Sequence, residues 1–300
     1  MPAVETLRAE PAPLHCVVCG RDSRPDSVRH ASIRSNVRKF AGETFSLWQC
    51  GACRSVHAAE EVDLDYYYAH YPFHAQKLTY STRISHLAKL RQLEKLGLRR
   101  DQRVLDYGCG GGLFVQVLQQ QGYVHARGYD PYASEDSPYR QLPGTGYDVV
   151  MSQDVLEHVA SPLEHLQTLR THAVPGALLV VGTPNAALID MGNPAEFIHL
   201  LHQPYHRHIV TAEALGQLAE SVGMSLVAVK YGYLGSLAFP GINSVFIRRM
   251  LRAHGDTLDG LLAGEIPWSL SLFSPAAIWD ALSGHFRDPG ADMTVVLRAG

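Results

Sequence analysis

Four of the five cysteines form two pairs whose internal spacing is that of metal-binding knuckles. Cys16 and Cys19 make one C-x-x-C unit, and Cys50 and Cys53 make the second after 30 intervening residues. Each unit can present two thiolates from one tight turn, and four thiolates complete the tetrahedral shell of a zinc ion. Disulfides or buried free thiols are the alternative, although neither requires two matched units. We therefore expect a structural zinc site at these four residues.

A glycine-rich loop over residues 104–112, VLDYGCGGG, is the second feature with chemical meaning. Glycines let the backbone approach a ligand closely, and the amino terminus of a following helix offers unpaired N–H groups. Apolar residues at helical spacing follow the loop, so the sequence predicts a strand, a tight turn and a helix that bind a nucleotide-like cofactor. The cysteine in the loop is small enough to pack there and is not interpreted as a nucleophile. The candidate cofactor-binding residues in this loop are Asp106, Gly108, Cys109 and Gly110.

Asp154, Glu157 and His158 form a D-x-x-E-H cluster just after a predicted buried strand. If a helix begins here, Asp154 reaches the two later residues at i+3 and i+4, so that all three share one face. Such a face can hold a cation or move a proton. A purely structural role at a helix start is the alternative.

A group of histidines precedes a later predicted helix and includes His202, His206 and His208. A neutral imidazole titrates near working pH, so His206 or His208 can act as a base. Metal binding by the three histidines is an alternative that lacks an obvious carboxylate partner. The catalytic candidates of the chain are therefore His158, Glu157, His206 and His208.

The strands that must position these groups can be followed through the sequence. Asp130 and Pro131 end a second short strand after the glycine loop, where a carboxylate can accept hydrogen bonds from ribose hydroxyls. Only 17 residues separate Asp130 from Asp148, which is too few for another strand and its helix. Adenine recognition is therefore unassigned, and Gln153 and Asp154 are candidates for bordering the cofactor.

Taken together, these segments resemble the class I S-adenosylmethionine-dependent methyltransferases. Residues 106–112 are similar to that family's motif I, Asp-x-Gly-x-Gly-x-Gly, and residues 147–159, YDVVMSQDVLEHV, resemble the signature of the subgroup with ubiquinone-pathway and secondary-metabolism enzymes. The resemblance covers about residues 80–232. It implies an α/β fold with a doubly wound, mostly parallel, seven-stranded-type Rossmann-like sheet, and the short interval between Asp130 and Asp148 departs from this pattern by shortening the third-strand region. It also implies S-adenosylmethionine as the cofactor.

The same resemblance suggests a second metal. The ubiquinone-pathway O-methyltransferases carry an E-x-x-E-H cluster that binds a divalent ion, which would lower the pKa of an acceptor hydroxyl. Here Asp154 replaces the first glutamate, so the implied ligands are Asp154, Glu157 and His158. Direct proton transfer or positioning by His158 or Glu157 is the alternative.

Length and composition fit one catalytic domain with a small appendage. The 300 residues are 46% hydrophobic, which suffices for one large core and a satellite. We predict a zinc ribbon over residues 1–60, an aromatic linker or cap over 61–85, and the methyltransferase domain over 86–300. An apolar insert at about 234–290, with side chains such as Trp268 and Phe273, suits a lid, a homodimer contact or ordinary core helices.

Charge and hydropathy limit the classes of substrate and the cellular location that we expect. The net charge of −3 provides no basic field, so nucleic acid is disfavoured as a substrate. No apolar run reaches the roughly 18–20 residues that span a bilayer, and the amino terminus does not have the pattern of a signal peptide, so we expect a cytoplasmic protein.

We expect methyl transfer to a small or medium-sized metabolite, with oxygen as the favoured acceptor. One alternative is carbon methylation of a nucleotide-linked sugar, because similar cysteine pairs and aromatic segments occur in sugar C-methyltransferases. A second is an RNA or protein methyltransferase docked by the ribbon, and a third is a non-catalytic cofactor-binding protein. A ribbon buried against the aromatic segment favours the metabolite enzyme, whereas an exposed basic ribbon favours docking.

Overall fold

The computed structural model describes residues 13–71, 77–237, 239–259, 274–287 and 290–300, and strands alternate with helices through its centre. Its strands are β1 Leu14–His15, β2 Asp22–Ser23, β3 Arg29–Arg34, β4 Thr44–Gln49, β5 Val56–Ala58, β6 Val104–Tyr107, β7 Ala126–Tyr129, β8 Tyr147–Gln153, β9 Ala173–Pro184, β10 His208–Ile209, β11 Met224–Tyr231 and β12 Asp292–Ala299. Its α-helices are α1 Leu64–Tyr68, α2 Tyr80–Lys95, α3 Leu113–Gln120, α4 Pro162–His172, α5 Ile198–Leu201, α6 Ala212–Ser221, α7 Ser244–Ala253 and α8 Pro275–Ser283.

A six-stranded sheet in the order β11-β12-β9-β8-β6-β7 forms the centre of the molecule. Strands β7, β6, β8 and β9 run parallel, while β12 is antiparallel to both β9 and β11. The middle of β8 is buried at Val149, Val150 and Met151, because helices cover both faces of a parallel sheet. The Rossmann-like fold is therefore confirmed. The shortened third-strand region is also observed, since residues 131–146 form turns and bends without a strand.

The predicted helix at the D-x-x-E-H cluster is wrong. Residues 154–160 form turns and bends, and α4 begins only at Pro162, with the Ser161 side chain as its amino-terminal cap. Asp154 has a φ of 57°, a left-handed conformation that does not start a helix. The carbonyl of Glu157 accepts from the N–H of Arg207, 2.8 Å away, so tertiary contacts replace the helical hydrogen bonds that the spacing suggested.

The amino-terminal segment forms a four-stranded sheet in the order β10-β5-β4-β3. Strand β10 comes from the middle of the chain and pairs antiparallel with β5, so that His208 lies opposite His57. The buried cysteines Cys16 and Cys50 belong to the same apolar cluster as Val210, the residue after β10. The amino-terminal sheet is thus completed by, and packed on, the rest of the molecule.

Helices α7 and α8 occupy the region of the predicted insert. The buried carboxylate of Asp280 on α8 forms ion pairs with Arg249 on α7 and with Arg287. Trp268 and Phe273, which we predicted to be part of its apolar surface, lie outside the described residues. No helix in the described part of the chain has the length and hydropathy to cross a membrane.

Candidate functional site

The glycine loop and the second acidic residue lie together at the carboxyl ends of β6 and β7. Each oxygen of the Asp130 carboxylate accepts one backbone N–H, from Gly110 and from Tyr132, both at 2.8 Å. Gly108 has a φ of 82°, and a Cβ on it would lie 2.2 Å from Val155 Cγ2. Only glycine fits such a position. These residues form a cradle at the edge of parallel strands, where cofactors bind in such sheets.

The remaining cofactor candidates lie around this cradle. Asp106 is buried on β6, and Gln153, at the end of β8, donates through its amide to Asp154 Oδ1, 3.0 Å away. Pro131 follows Asp130 and is partly buried. Burial raises the pKa of the Cys109 thiol, so this cysteine is a packed, neutral group.

Sequence reasoning missed Lys89 on α2. This lysine is 8% exposed, and its Nζ lies 4.4 Å from the centre of the Phe114 ring at the start of α3. Burial lowers its pKa, while Asp106 and Asp154 act in the opposite direction. A lysine within the buried stretch Ala88–Leu90 of a helix just before the glycine loop was the available signal, since lysine is almost never buried without a partner.

Glu157, His158 and His206 converge on one point beyond the carboxyl end of β8. One ligand atom from each lies within 4.8 Å of the others, and His206 Nε2 lies 3.9 Å from Glu157 Oε1. The other carboxylate oxygen accepts from Thr183 Oγ1 at 2.9 Å. Asp154 is exposed and is not part of this group. The structure thus groups His206, and not Asp154, with the Glu-His pair.

Backbone carbonyls fix the tautomers of both histidines. His158 Nδ1 lies 3.1 Å from the carbonyl oxygen of Tyr205, and His206 Nδ1 lies 2.6 Å from that of Leu200. A carbonyl oxygen only accepts, so each Nδ1 carries the proton and each neutral ring leaves a lone pair on Nε2. This is the orientation in which protein imidazoles bind metal ions.

The charge states of Glu157, His158 and His206 favour the binding of a cation among them. Burial lowers the pKa of His158 to about 4 and that of His206 well below its ordinary value, so both are neutral at pH 7. Burial, and then the negative charge of Asp154, raise the pKa of Glu157 well above its usual range. A cation bound among two neutral imidazoles and one carboxylate would compensate the buried negative charge.

The other predicted histidines support the wall of the site. His208 is buried and donates from Nε2 to the carbonyl of Leu156 at 2.9 Å. The 2.6 Å bond between His202 Nδ1 and Asn36 Oδ1 links the end of α5 to the segment that follows β3 of the amino-terminal sheet. His202, His206 and His208 therefore do not share one ligand position, and the metal site suggested for them is not formed.

Tyrosines from the predicted cap pack beside His158. The ring centre of Tyr71 lies 4.8 Å from that of Tyr205, and Tyr68 lies 5.3 Å from the same ring. Phe40 from the amino-terminal unit packs against Tyr67 with ring centres 4.7 Å apart. The cap is thus wedged between the amino-terminal sheet and the histidines. Residues 72–76 of the predicted cap, which include Phe73, lie outside the described residues.

The four paired cysteines also converge. Their sulfur atoms all lie within 4.8 Å of one another, with Cys16 to Cys53 at 3.5 Å and Cys19 to Cys50 at 3.7 Å. Zinc–thiolate bonds of about 2.3 Å in a tetrahedron place sulfurs about 3.8 Å apart, so the geometry fits a zinc ion. His57 Nε2 lies 3.2 Å from Cys16 Sγ, where an imidazole N–H would stabilise a metal-bound thiolate.

Similar proteins support the interpretation of the central sheet. A ubiquinone biosynthesis O-methyltransferase of a Caulobacter species is 34% identical over 29% of this chain and 42% of its own length. A protein of the same description from Dinoroseobacter shibae is 28% identical over 65% of this chain and 84% of its own length. A tRNA U34 carboxymethyltransferase of Pseudomonas fluorescens is 34% identical over 27% of this chain and 32% of its own length.

Two of these three matches thus cover less than half of the relative's length. A family model described as a methyltransferase domain matches residues 79–229. That range runs from the residue before α2 to within β11, and it contains the glycine loop, Asp130 and the Glu-His pair. Because the model matches half of the chain and the fold agrees with it, the chain belongs to the family of S-adenosylmethionine-dependent methyltransferases.

Proposed function

We propose that this protein transfers a methyl group from S-adenosylmethionine to an oxygen of a small or medium-sized metabolite. The observation that carries the proposal is the convergence of Glu157, His158 and His206 on one point next to β8, which is adjacent to the glycine-loop strand. An acceptor hydroxyl bound there would be held beside the cofactor. The similarity to O-methyltransferases agrees with this choice of acceptor atom.

The cradle around Asp130 supports the placement of the cofactor. Each oxygen of Asp130 accepts one amide N–H and retains a lone pair that can accept from a ribose hydroxyl. Helix α3 begins at Leu113, directly after the glycine loop, and the first N–H groups of a helix have no partner within it. Lys89 supplies a buried positive charge near Asp106, which suits the methionine carboxylate of S-adenosylmethionine. Gly108, Gly110 and their neighbours then provide backbone contacts.

The three convergent groups activate the acceptor. When bound, S-adenosylmethionine supplies a methyl group on a sulfonium, so the protein has to align the acceptor oxygen and remove its proton. An imidazole with a pKa of about 4 is a weak base at pH 7. We therefore propose that Glu157 Oε1 and the Nε2 atoms of His158 and His206 hold a divalent cation, which would lower the pKa of an acceptor hydroxyl. Imidazole ligands favour zinc and similar transition metals over magnesium.

The position of the amino-terminal unit favours a metabolite over a docked macromolecule. Asn36 bonds to His202 at the end of α5, and Phe40 packs against Tyr67 of the cap. Strand β10 completes the sheet of this unit. A docking module would expose a recognition face away from the catalytic groups. We propose that zinc held by Cys16, Cys19, Cys50 and Cys53 stabilises one wall of the acceptor site. The division into residues 1–60, 61–85 and 86–300 stays a prediction.

Labelled methyl groups test the proposal. The zinc-loaded protein would be incubated with methyl-labelled S-adenosylmethionine and a bacterial extract divided into small-molecule, lipid, nucleic-acid and protein fractions. We expect label in the small-molecule or lipid fraction, and loss of that label with Glu157→Gln. Label in RNA or protein would contradict the proposal. Removal of weakly bound metal, with ribbon zinc retained, should abolish transfer; unchanged turnover would rule out the second cation.

A further inference from the structure

Tyr68 touches both halves of the site. Its hydroxyl oxygen lies 2.9 Å from His158 Nδ1. Its ring is parallel to that of Tyr132, with an angle of 3° between the planes and 5.7 Å between the centres. Tyr132 lies two residues after Asp130, beside the cofactor cradle, and donates its backbone N–H to the Asp130 carboxylate. One side chain from the amino-terminal cap therefore connects the cofactor loop with a proposed ligand of the acceptor site.

The hydrogen bond to His158 has a defined direction. The Tyr205 carbonyl, 3.1 Å from Nδ1, requires the proton to be on that nitrogen, which then has no lone pair. The hydroxyl oxygen of Tyr68 accordingly accepts part of the same N–H, and two acceptors hold the imidazole plane. Burial raises the pKa of Tyr68, so its hydroxyl stays protonated and does not add a negative charge. The orientation of the His158 ring, which offers one nitrogen to the group with Glu157 and His206, then depends on where Tyr68 sits.

The ring of Tyr68 is packed by further aromatic groups. It lies 5.2 Å from the ring centre of Tyr71 and 5.3 Å from that of Tyr205, between the cap and the histidine loop. Tyr132, in contrast, is 73% exposed. The exposed ring of Tyr132 thus has room to move when a ligand fills the cradle. The ring of Tyr68, which contacts it, is also packed against Tyr71 and Tyr205. A displacement of Tyr132 by bound cofactor would be passed to the imidazole of His158.

We propose that Tyr68 is a positioning residue that couples occupancy of the cofactor cradle to the orientation of His158. The inference rests on the proposed function for its catalytic meaning. It assigns to the cap a role in assembling the acceptor site after the cofactor binds. We expect Tyr68→Phe, which keeps the ring and removes the hydroxyl, to lower methyl transfer about 10- to 100-fold, as for other groups that orient a metal ligand. Cofactor affinity should not change.

Histidine nitrogen NMR tests the coupling without any acceptor. The full, zinc-loaded chain would be labelled with ¹⁵N-histidine, the His158 signals would be assigned with His158→Gln, and S-adenosylhomocysteine would be the probe. In the wild type the probe should shift the His158 signals. In Tyr68→Phe the probe should bind equally well while most of that shift is lost. Tyr66→Phe is the matched control, since Tyr66 belongs to the same helix, is exposed and packs on Phe40; it should behave as the wild type.

The possible outcomes separate this inference from the proposed function. Equal His158 shifts in the wild type and in Tyr68→Phe, or no shift in the wild type despite binding, would overturn the coupling. Failure of S-adenosylhomocysteine to bind the wild type would overturn the proposed function instead. The ligand-free spectra then still decide the contact, because removal of the hydroxyl must move the His158 Nδ1 signal and leave that of His165 in place. An unmoved His158 signal would refute it.

Discussion

The proposed cofactor side and the proposed acceptor side of this molecule, which keep these names below, are built in opposite ways. The cofactor cradle comes from one continuous stretch, in which Gly108, Gly110 and Asp130 follow consecutive parallel strands. The acceptor site combines Tyr68, the Glu157-His158 pair and His206 from three separate segments, and the amino-terminal sheet braces it from outside. A site made from one supersecondary unit needs only local folding, whereas the acceptor site requires the whole chain to be in place.

Because the two sides are built differently, we expect loss of the ribbon zinc to abolish methyl transfer without abolishing cofactor binding. Cys50 is fully buried, and structural zinc sites contribute on the order of 10 kcal/mol of apparent binding free energy. We expect Cys50→Ser to lose zinc, to lower the melting temperature and to abolish methyl transfer, while S-adenosylhomocysteine still binds. Zinc content, calorimetry and binding of the nucleoside measure these effects. Cys109→Ser, which changes the cysteine outside the ribbon, should keep its zinc.

Retention of methyl transfer in zinc-free protein would contradict this division. It would mean that β10 and the Asn36–His202 bond hold the acceptor site without the metal. Equal loss of cofactor binding would contradict it in the other direction, because the two halves would then unfold together.

We expect Glu157→Gln to lower methyl transfer strongly without changing the affinity for the cofactor. The amide keeps the size of the side chain and can still accept from Thr183, but it removes the negative charge that would bind a cation. We expect the turnover number to fall about 10²- to 10⁴-fold, with unchanged affinity for S-adenosylhomocysteine. Glu164→Gln, in the exposed first turn of α4, is the control. A variant with normal turnover would show that proton removal occurs elsewhere.

We expect Lys89→Met, in contrast to Glu157→Gln, to weaken binding of the cofactor. Loss of a hydrogen bond to a charged group costs about 1.5–3 kcal/mol, so we expect about 10- to 100-fold weaker binding of S-adenosylmethionine. An analogue without the methionine carboxylate should bind the variant and the wild type equally well, which titration calorimetry can measure. Lys95→Met, at the exposed end of the same helix, should match the wild type. Equal weakening for both ligands would show that Lys89 acts only through packing.

The sequence predicted the cofactor side well, because that side comes from one continuous stretch of the chain. The glycine loop, the strand that ends at Asp130 and the missing third strand follow from local patterns, because each depends on residues close together in the chain. Sequence also predicted that the four cysteines share one centre, since their spacing carries that information. Roles of individual residues in binding and catalysis stay predictions.

The acceptor side shows where local patterns fail. The i+3 and i+4 spacing placed Asp154 with Glu157 and His158, but the left-handed backbone at Asp154 and the pairing of Glu157 with Arg207 removed the helix. His206 took the third position instead. That grouping forms because the segment between α5 and β10 folds against the end of β8. A local sequence pattern contains no information about this contact. Lys89 was missed for a similar reason, because its partners come from later strands.

The smallest expected effect concerns stability on the cofactor side. His165 is buried beneath the sheet, where its Nε2 lies 2.9 Å from Ser152 Oγ, and burial lowers its pKa from 6.5 to about 4. The unfolded chain therefore binds a proton more readily than the folded one, so folding loses stability as the pH falls from about 6.5 towards 4. Linkage gives a loss of about 2 kcal/mol between pH 7 and pH 5 from this residue. His165→Gln should remove that part of the pH dependence in urea unfolding. If the slope stays the same, other buried histidines, and not the cofactor side, set the acid sensitivity of the fold.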